Sequence, residues 1–184
     1  NGGKVFATLS YFKNVRNNLV VADVINIGAS QASGEITSEG FDFDIGVQIT
    51  DNLELVGGLS NMSNEITADT NPARVGLGFR AIPDFTSSAF LRYDFSEDTQ
   101  LEGLSLGVGY IHENKRWGDS KNRFHSPAYN KWDLLIKYAW GNNYQFRINV
   151  DNVFNKEYWG RVTSERFAQA GDKRWIKATY RVEF

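Results

Sequence analysis

Cysteine is absent from this chain of 184 residues, and proline, histidine and methionine occur only 3, 2 and 1 times. Without cysteine there are no disulfides, no thiolate metal ligands and no cysteine nucleophile. Two histidines are too few for a structural metal site unless carboxylates lie close to them. No apolar run reaches the roughly 18 residues of a transmembrane helix. The net charge of -2 gives no electrostatic footprint for nucleic acid.

Aromatic residues and glycines are plentiful instead, at 14% and 17 copies. Apolar and polar residues alternate along most of the chain, which is the period of a β-strand. The mean hydropathy of -0.42 does not exclude a membrane protein, because a transmembrane β-barrel alternates lipid-facing and lumen-facing side chains. The alternation predicts eight strands, at about 4–14, 40–49, 53–59, 85–95, 104–110, 132–138, 144–151 and 175–184.

The connections between these strands alternate in length. Three are short, with the sequences TDN (50–52), SEDTQLEG (96–103) and GNN (141–143), and the other four are long and polar. Short turns at one end and long loops at the other are typical of outer-membrane barrels. Aromatic residues lie near the strand ends, as an interfacial girdle requires; they are Tyr11, Tyr93, Tyr110, Trp132, Tyr138, Tyr144 and Tyr180.

A soluble antiparallel β-sandwich also produces alternation, but it predicts turns of mixed length and no aromatic girdle. The pattern therefore favours a transmembrane barrel. The N-terminal NGGKVFATLS has no methionine, basic region or apolar region of a signal peptide. We expect a processed product or a piece of a longer chain.

Six segments resemble, in order and spacing, the barrel strands of TonB-dependent outer-membrane receptors. The penultimate strand reads NVDNVFNKEYW (149–159), close to that family's N-V-x-N-L-F-[ND]-K-x-Y pattern. The others are SEGFDFD (38–44), PDFTSSAFLRYDF (83–95), GLSLGVGYIHENKRWGD (103–119), PAYNKWD (127–133) and YRVEF (180–184). The chain is most similar to the ferric-siderophore branch. One departure is GDKR (171–174), where the family pattern has Gly-x-Pro-Arg.

The resemblance implies an all-β antiparallel transmembrane barrel, of which residues 1–184 are the last eight of 22 strands. It implies no second domain in this chain and a plug domain supplied elsewhere in the receptor. The implied function is uptake of a ferric siderophore across the outer membrane of a Gram-negative bacterium. Iron is then cargo, with no intrinsic cofactor. The implied partners are lipid and lipopolysaccharide, the rest of the receptor, the TonB complex and the outer-membrane assembly machinery, with no nucleic acid.

Charged side chains on the polar sides of the predicted strands are candidates for the barrel lumen and for contact with the plug. They are Asp42, Asp44, Arg92, Asp94, Asp133, Lys137, Arg147 and Arg181. The D-x-D of Asp42 and Asp44 also has the residue types of a metal site, but a hydrated lumen wall explains both carboxylates. We predict no metal site.

Arginine lies beside aromatic residues in the two longest C-terminal loops. This combination suits a bulky anionic chelate, which aromatic rings can stack on and guanidinium groups can hydrogen-bond. Exposed loops also carry these residues for other reasons, such as contact with lipopolysaccharide phosphates. The ligand-binding candidates are Arg116, Trp117, Arg123, Phe124, Tyr158, Trp159, Arg161, Arg166 and Phe167.

The last strand places Tyr180, Val182 and Phe184 on its apolar side. In the setting of this family, such an ending resembles the signal by which the assembly machinery recognises outer-membrane proteins. No nucleophile elbow or other catalytic motif is visible, so we predict no enzyme. Two alternatives remain: a self-contained eight-stranded barrel with a structural or adhesive role, and a set of strands held as a client by the assembly machinery.

Overall fold

The computed structural model describes residues 4–141, 143–164 and 166–183. Strands dominate it, because β-branched and aromatic residues alternate with polar ones over long segments. The strands are β1 (Val5–Ala22), β2 (Ser30–Thr50), β3 (Leu53–Ala68), β4 (Phe85–Asp94), β5 (Leu104–Glu113), β6 (Arg116–Trp117), β7 (His125–Ser126), β8 (Tyr129–Trp140), β9 (Tyr144–Asp151), β10 (Trp159–Ser164), β11 (Phe167–Ala170) and β12 (Trp175–Val182). A single 3-10 turn covers Pro72–Arg74 within the described part of the chain.

Eight strands form one antiparallel sheet in the order β1-β2-β3-β4-β5-β8-β9-β12. The order follows the chain, so each strand pairs with its neighbour in sequence. The two remaining strand pairs, β6-β7 and β10-β11, are separate hairpins. They lie inside the connections β5–β8 and β9–β12. None of the described residues forms a helix long and apolar enough to span a membrane.

The predicted alternation of connection lengths is confirmed with one exception. Short turns join β2 to β3, β4 to β5 and β8 to β9, and long connections join β3 to β4, β5 to β8 and β9 to β12. The β1–β2 connection, which was predicted to be long, covers only residues 23–29, because β1 and β2 extend beyond their predicted limits. Because the strands are antiparallel, the three short turns lie at one end of the sheet and the other four connections at the opposite end. We name these the turn end and the loop end.

The register gives the sheet one apolar and one polar face. Across its centre, Leu91 pairs with Val108, Val108 with Leu134, and Leu134 with Val150. Successive side chains point to opposite faces, so the intervening residues share the other face, and most of them are polar. The apolar face extends from β1 to β12 without interruption.

The apolar face is not covered by any other layer. Among the described residues, only Ile66 and Val162 are buried apolar side chains, with 4% and 5% exposure. An uncovered apolar surface of this extent marks an interaction site or a membrane-facing surface. Stacked aromatic rings border it at the turn end, where Trp140 lies 5.6 Å from Tyr144 and 5.9 Å from Tyr180.

A second aromatic border lies toward the loop end. Tyr110 and Trp132 are in ring contact at 4.8 Å, and Tyr11 and Phe41 at 5.1 Å. The two borders define an apolar belt of the kind that spans the hydrocarbon region in outer-membrane barrels. In β8, the belt lies between Trp132 and Tyr138.

The structure extends the sequence prediction in two respects. The first three strands reach far beyond the predicted limits, so that β1 has 18 residues and β2 has 21. A bulge at Asn18, with φ of 58°, interrupts the pairing of β1 near its loop end. The alternation is less regular in these extensions, because neither face is continuously apolar there. The two loop hairpins were not predicted.

Candidate ligand vestibule and polar wall

The polar face carries all eight predicted lumen residues. The pairings Arg92–Gly107, Gly107–Leu135 and Leu135–Asn149 follow one row of this face across four strands. The predicted residues lie on this row or on rows an even number of residues away; they are Asp42, Asp44, Arg92, Asp94, Asp133, Lys137, Arg147 and Arg181. The eight side chains therefore share one face of the sheet, and their position in a barrel lumen and contact with a plug stay predictions.

This face is concave. A cavity of about 720 Å³ is lined by side chains from β2, β3, β4, β5, β8, β9 and β12 together, including Asp44, Asp133 and Arg147. Strands so far apart in the sheet line one cavity only if the sheet curls toward its polar face. Some of the charges on it are paired: Arg92 contacts Glu54 and Asp94, each at 3.0 Å.

Asp42 and Asp44 do not gather further metal ligands. No group of three or more histidine or acidic side chains able to hold a metal occurs in the described residues. Asp44 lies beside Gly58, where a Cβ would be 2.6 Å from its Oδ1. The glycine leaves room for the carboxylate on the concave wall.

The β6-β7 hairpin holds the first group of ligand-binding candidates. Trp117 is in edge contact with His125 at 6.0 Å, and the Lys115 ammonium lies 6.0 Å from the Trp117 ring. Phe124 covers Gly118, where any Cβ would overlap its ring. Arg123 is ion-paired with Asp119 at 2.7 Å. These side chains contact one another within the hairpin and therefore stabilise its fold as well as forming its surface.

Arg116 links this hairpin to the next one. Its guanidinium pairs with Glu113 at 2.6 Å and donates to the backbone oxygens of Trp159 and Gly160. The Arg116 side chain is only 10% exposed. The structure thus shows Arg116 engaged with the protein itself, at the junction of the two hairpins.

The β10-β11 hairpin holds the second group of candidates. Trp159 and Phe167 are 46% and 53% exposed, and Arg161 and Arg166 are exposed as well. Tyr158 is half-buried and stacks on Tyr129 at 4.3 Å between ring centroids. The exposed members of this group are available to a ligand at the loop end.

Tyr129 and Glu113 face each other on the polar face, and sequence analysis missed both. The Tyr129 hydroxyl donates to Glu113 at 3.3 Å. Burial, together with the Glu113 carboxylate, raises the pKa of Tyr129 to about 12. The residue lies beyond Trp132 toward the loop end and therefore outside the apolar belt. Its cross-strand partner on β5 is Glu113. The register of β5 and β8, had it been predicted from the sequence, would have placed these two residues side by side.

Asn152 organises the start of the β9–β12 connection. It is 1% exposed, and its φ is 53°, a backbone region that asparagine tolerates better than most residues. Its side-chain amide donates to the backbone oxygens of Lys156 and Asp172 at 2.9 and 3.0 Å, and its Oδ1 accepts from the Lys156 N–H at 2.8 Å.

Asn155 adds a second fixed point, since its Oδ1 accepts from the Arg174 N–H at 2.9 Å. The NVDNVFNK segment thus joins both ends of a long connection. The sequence motif has a structural explanation in these two asparagines.

The terminal strand follows the predicted alternation. Tyr180 pairs with Phe146 and Val182 with Tyr144, all on the apolar face. Phe184, the third residue of the predicted assembly signal, lies outside the described residues.

The comparisons with known proteins agree with this architecture. Residues 1–153 match the family model described as TonB dependent receptor-like, beta-barrel. The metal-pseudopaline receptor CntO of Pseudomonas aeruginosa is 33% identical over 94% of this chain and 24% of its own length. The ferrichrome outer membrane transporter/phage receptor of Escherichia coli is 26% identical over 98% of this chain and 24% of its own length.

A solved structure has the same fold. The siderophore receptor PiuA from Acinetobacter baumannii superposes with a TM-score of 0.85 at 19% identity, over 97% of this chain and 26% of that one. The chain thus spans about a quarter of the length of these proteins. They are named as receptors or transporters and not as enzymes. The chain belongs to the family of TonB-dependent receptor β-barrels.

Proposed function

We propose that this chain forms the C-terminal part of the barrel wall of a TonB-dependent receptor in the outer membrane of a Gram-negative bacterium. The receptor imports a metal–chelator complex, in the first instance a ferric siderophore. Iron enters as cargo on the chelator and not as a resident cofactor. The observation that carries the proposal is the continuous apolar belt on one face of a sheet whose other, concave face is charged.

The apolar belt faces lipid and its loop-end border meets lipopolysaccharide. The polar face lines the lumen and contacts the plug, which belongs to the rest of the receptor. We place the eight strands in a barrel of 22, and the chain's coverage of about a quarter of its relatives supports a larger whole. TonB engages another part of the receptor, and the last strand carries the signal for the assembly machinery.

The loop end faces outward and receives the ligand. Exposed aromatic and arginine side chains there, such as Trp159, Arg161 and Phe167, offer stacking and charge-assisted hydrogen bonds. The relatives named for a metal-pseudopaline complex, ferrichrome and a siderophore support a metal chelate as the ligand.

The alternative of a self-contained eight-stranded barrel requires β12 to pair with β1. In the described residues β12 pairs with β9 and β1 with β2, and no pairing joins the two outer strands. The topology therefore gives this alternative no support.

Transport of metal chelates by cells tests the proposal. A strain lacking the gene for the full-length receptor is compared with the same strain carrying the gene on a plasmid, using radioactive iron on a panel of chelators. We expect uptake of at least one chelate to require the gene and to stop when a proton uncoupler is added. Equal uptake of every chelate by both strains would contradict the proposal.

A further inference from the structure

A second cavity lies at the loop end, at the base of the β10-β11 hairpin and beside the start of β8. Its volume is about 440 Å³, within the roughly 300–1,000 Å³ of small-molecule sites. It is separate from the central cavity, with which it shares none of its lining residues. Its aromatic walls come from Tyr129, Tyr158 and Trp159.

The charged groups at this cavity favour an anion. Lys156 and Lys173 line it together with one carboxylate, Glu157, so two ammonium groups stand against one negative charge. Neither lysine forms an ion pair with a described residue. The salt bridges among the described residues all involve other side chains. Ammonium groups that have no ion pair within the described part of the chain, beside aromatic rings, suit a ligand that is both planar and anionic.

Two side chains outside the cavity hold its walls in place. Asn152 binds the backbone of Lys156 and of Asp172, which adjoins Lys173. Arg116 binds the backbone oxygens of Trp159 and Gly160. These hydrogen bonds fix the backbone that carries the two lysines and the indole.

The tyrosine wall is fixed as well. The Tyr129 hydroxyl is bound to Glu113, and its ring stacks on Tyr158. Tyr158 in turn packs on Gly171, where any Cβ would overlap the ring, and the backbone oxygen of Tyr158 accepts from the Gly171 N–H at 2.8 Å. A site built before its ligand arrives loses little conformational freedom on binding.

We infer that this cavity, lined by Tyr129, Lys156, Tyr158, Trp159 and Lys173, is a binding subsite for a planar aromatic group that bears an anionic oxygen. The inference rests on the proposed function, because the planar aromatic group is taken to be one arm of the transported chelator. The rings provide stacking, the lysines neutralise the oxygen, and Glu157 disfavours a second negative charge at the site.

Binding of a small aromatic acid to the full-length receptor in detergent tests the subsite. Salicylate is the probe, and saturation-transfer NMR measures its dissociation constant. We expect Lys156→Ala with Lys173→Ala to weaken salicylate binding by about tenfold, which corresponds to 1.4 kcal/mol. Trp159→Leu weakens it by severalfold. Lys121→Ala, a lysine in the β6-β7 loop that does not line the cavity, leaves the dissociation constant unchanged.

Cyclohexanecarboxylate has the same charge without an aromatic face, and we expect it to bind at least fivefold more weakly than salicylate. Equal binding of salicylate to the native receptor and the double lysine variant, or equal binding of the two acids, would overturn the subsite. Heat-modifiable migration on gels shows that each variant is folded. Uptake of radioactive iron chelates is measured in parallel, so that loss of the subsite and loss of the transport function are told apart.

Discussion

The backbone N–H of Asn152 donates to Oδ1 of Asp133 at 2.7 Å. The bond joins the end of β9 to the polar face of β8, at the point where the longest C-terminal connection begins. The bond connects Asn152 of the NVDNVFNK motif with Asp133, which was predicted as a lumen residue. The other oxygen of Asp133, Oδ2, is 3.4 Å from the ammonium of Lys131. One oxygen thus fixes the backbone of the connection, and the other pairs with a charge on the polar face.

Asn152→Ala should destabilise the β9–β12 connection strongly. The alanine removes three side-chain hydrogen bonds at a buried position, and each buried group left unpaired costs about 1–3 kcal/mol. It also places a Cβ without a side-chain amide at a φ of 53°. We expect lower yields of heat-modifiable receptor and faster proteolysis within residues 152–174.

Asn152→Gly is the matched variant, because glycine adopts positive φ freely and lacks only the hydrogen bonds. We expect it to be destabilised less than Asn152→Ala, by about 1 kcal/mol. If both variants were as stable as the native receptor, the structural role of Asn152 would be wrong.

Arg116→Ala should release the β10-β11 hairpin from the β6-β7 hairpin. The guanidinium is 10% exposed and its partner Glu113 is 18% exposed, so the change leaves a largely buried carboxylate without its cation. Breaking such a pair costs about 3–5 kcal/mol. Trypsin should then cleave after Arg161 and Arg166 much faster than in the native receptor.

Arg116→Lys retains the charge but not the planar guanidinium that reaches two carbonyl oxygens. Trypsin should therefore cleave this variant faster than the native receptor and more slowly than Arg116→Ala. Arg16→Ala, at an exposed position of β1, serves as the control. An unchanged cleavage rate in Arg116→Ala would show that the hairpins are held together by other contacts.

Tyr129 should titrate at higher pH than an ordinary tyrosine. Its pKa is raised to about 12 because burial and the Glu113 carboxylate disfavour the phenolate. The raised pKa means that the folded state retains the proton, so this contribution to stability is complete below about pH 10 and is lost as the pH rises toward 12. Tyrosinate absorbance, measured for the native receptor and for Tyr129→Phe, should differ by one group titrating near pH 12. A difference spectrum that titrates near pH 10 would contradict the environment described for this residue.

Leu134→Arg should impair the barrel far more than Leu135→Arg. Leu134 lies on the apolar face between Val108 and Val150, and an arginine at the middle of the lipid-facing belt costs about 2–4 kcal/mol. Leu135 is its neighbour on the polar face, where an arginine meets water. Urea unfolding in lipid vesicles measures the difference. Equal loss of stability in the two variants would contradict the assignment of faces.

Gly103→Ala should be more damaging than Gly76→Ala. Both glycines have positive φ, 80° and 85°. A Cβ at Gly103 would overlap the backbone oxygen of Ala139, whereas no atom lies within 4 Å of a Cβ at Gly76. Only the first change combines backbone strain with a clash against a neighbouring strand. Thermal inactivation of the two variants should differ by several degrees, and equal thermal inactivation would show that the turn end adjusts without cost.

The sequence predicted the eight large strands, the two ends of the sheet and the shared face of the eight charged candidates. These features depend on local periodicity: side chains alternate strictly along a strand, so Asp133 and Leu134 are assigned to opposite faces without knowledge of their partners. The limits of β1, β2 and β3 were less predictable, because alternation between an apolar and a polar face fades where the strands leave the apolar belt.

The sequence by itself thus determined that this chain is a set of antiparallel strands with one apolar and one polar face. Only the tertiary structure decided that Arg116 is a clamp between hairpins and that Tyr129, Tyr158 and two lysines enclose a cavity. Arg116 and the Trp159 oxygen are 43 residues apart, and periodicity has no information on contacts at that separation. Such contacts depend on how the long connections fold over the end of the sheet, where no repeating pattern constrains the chain.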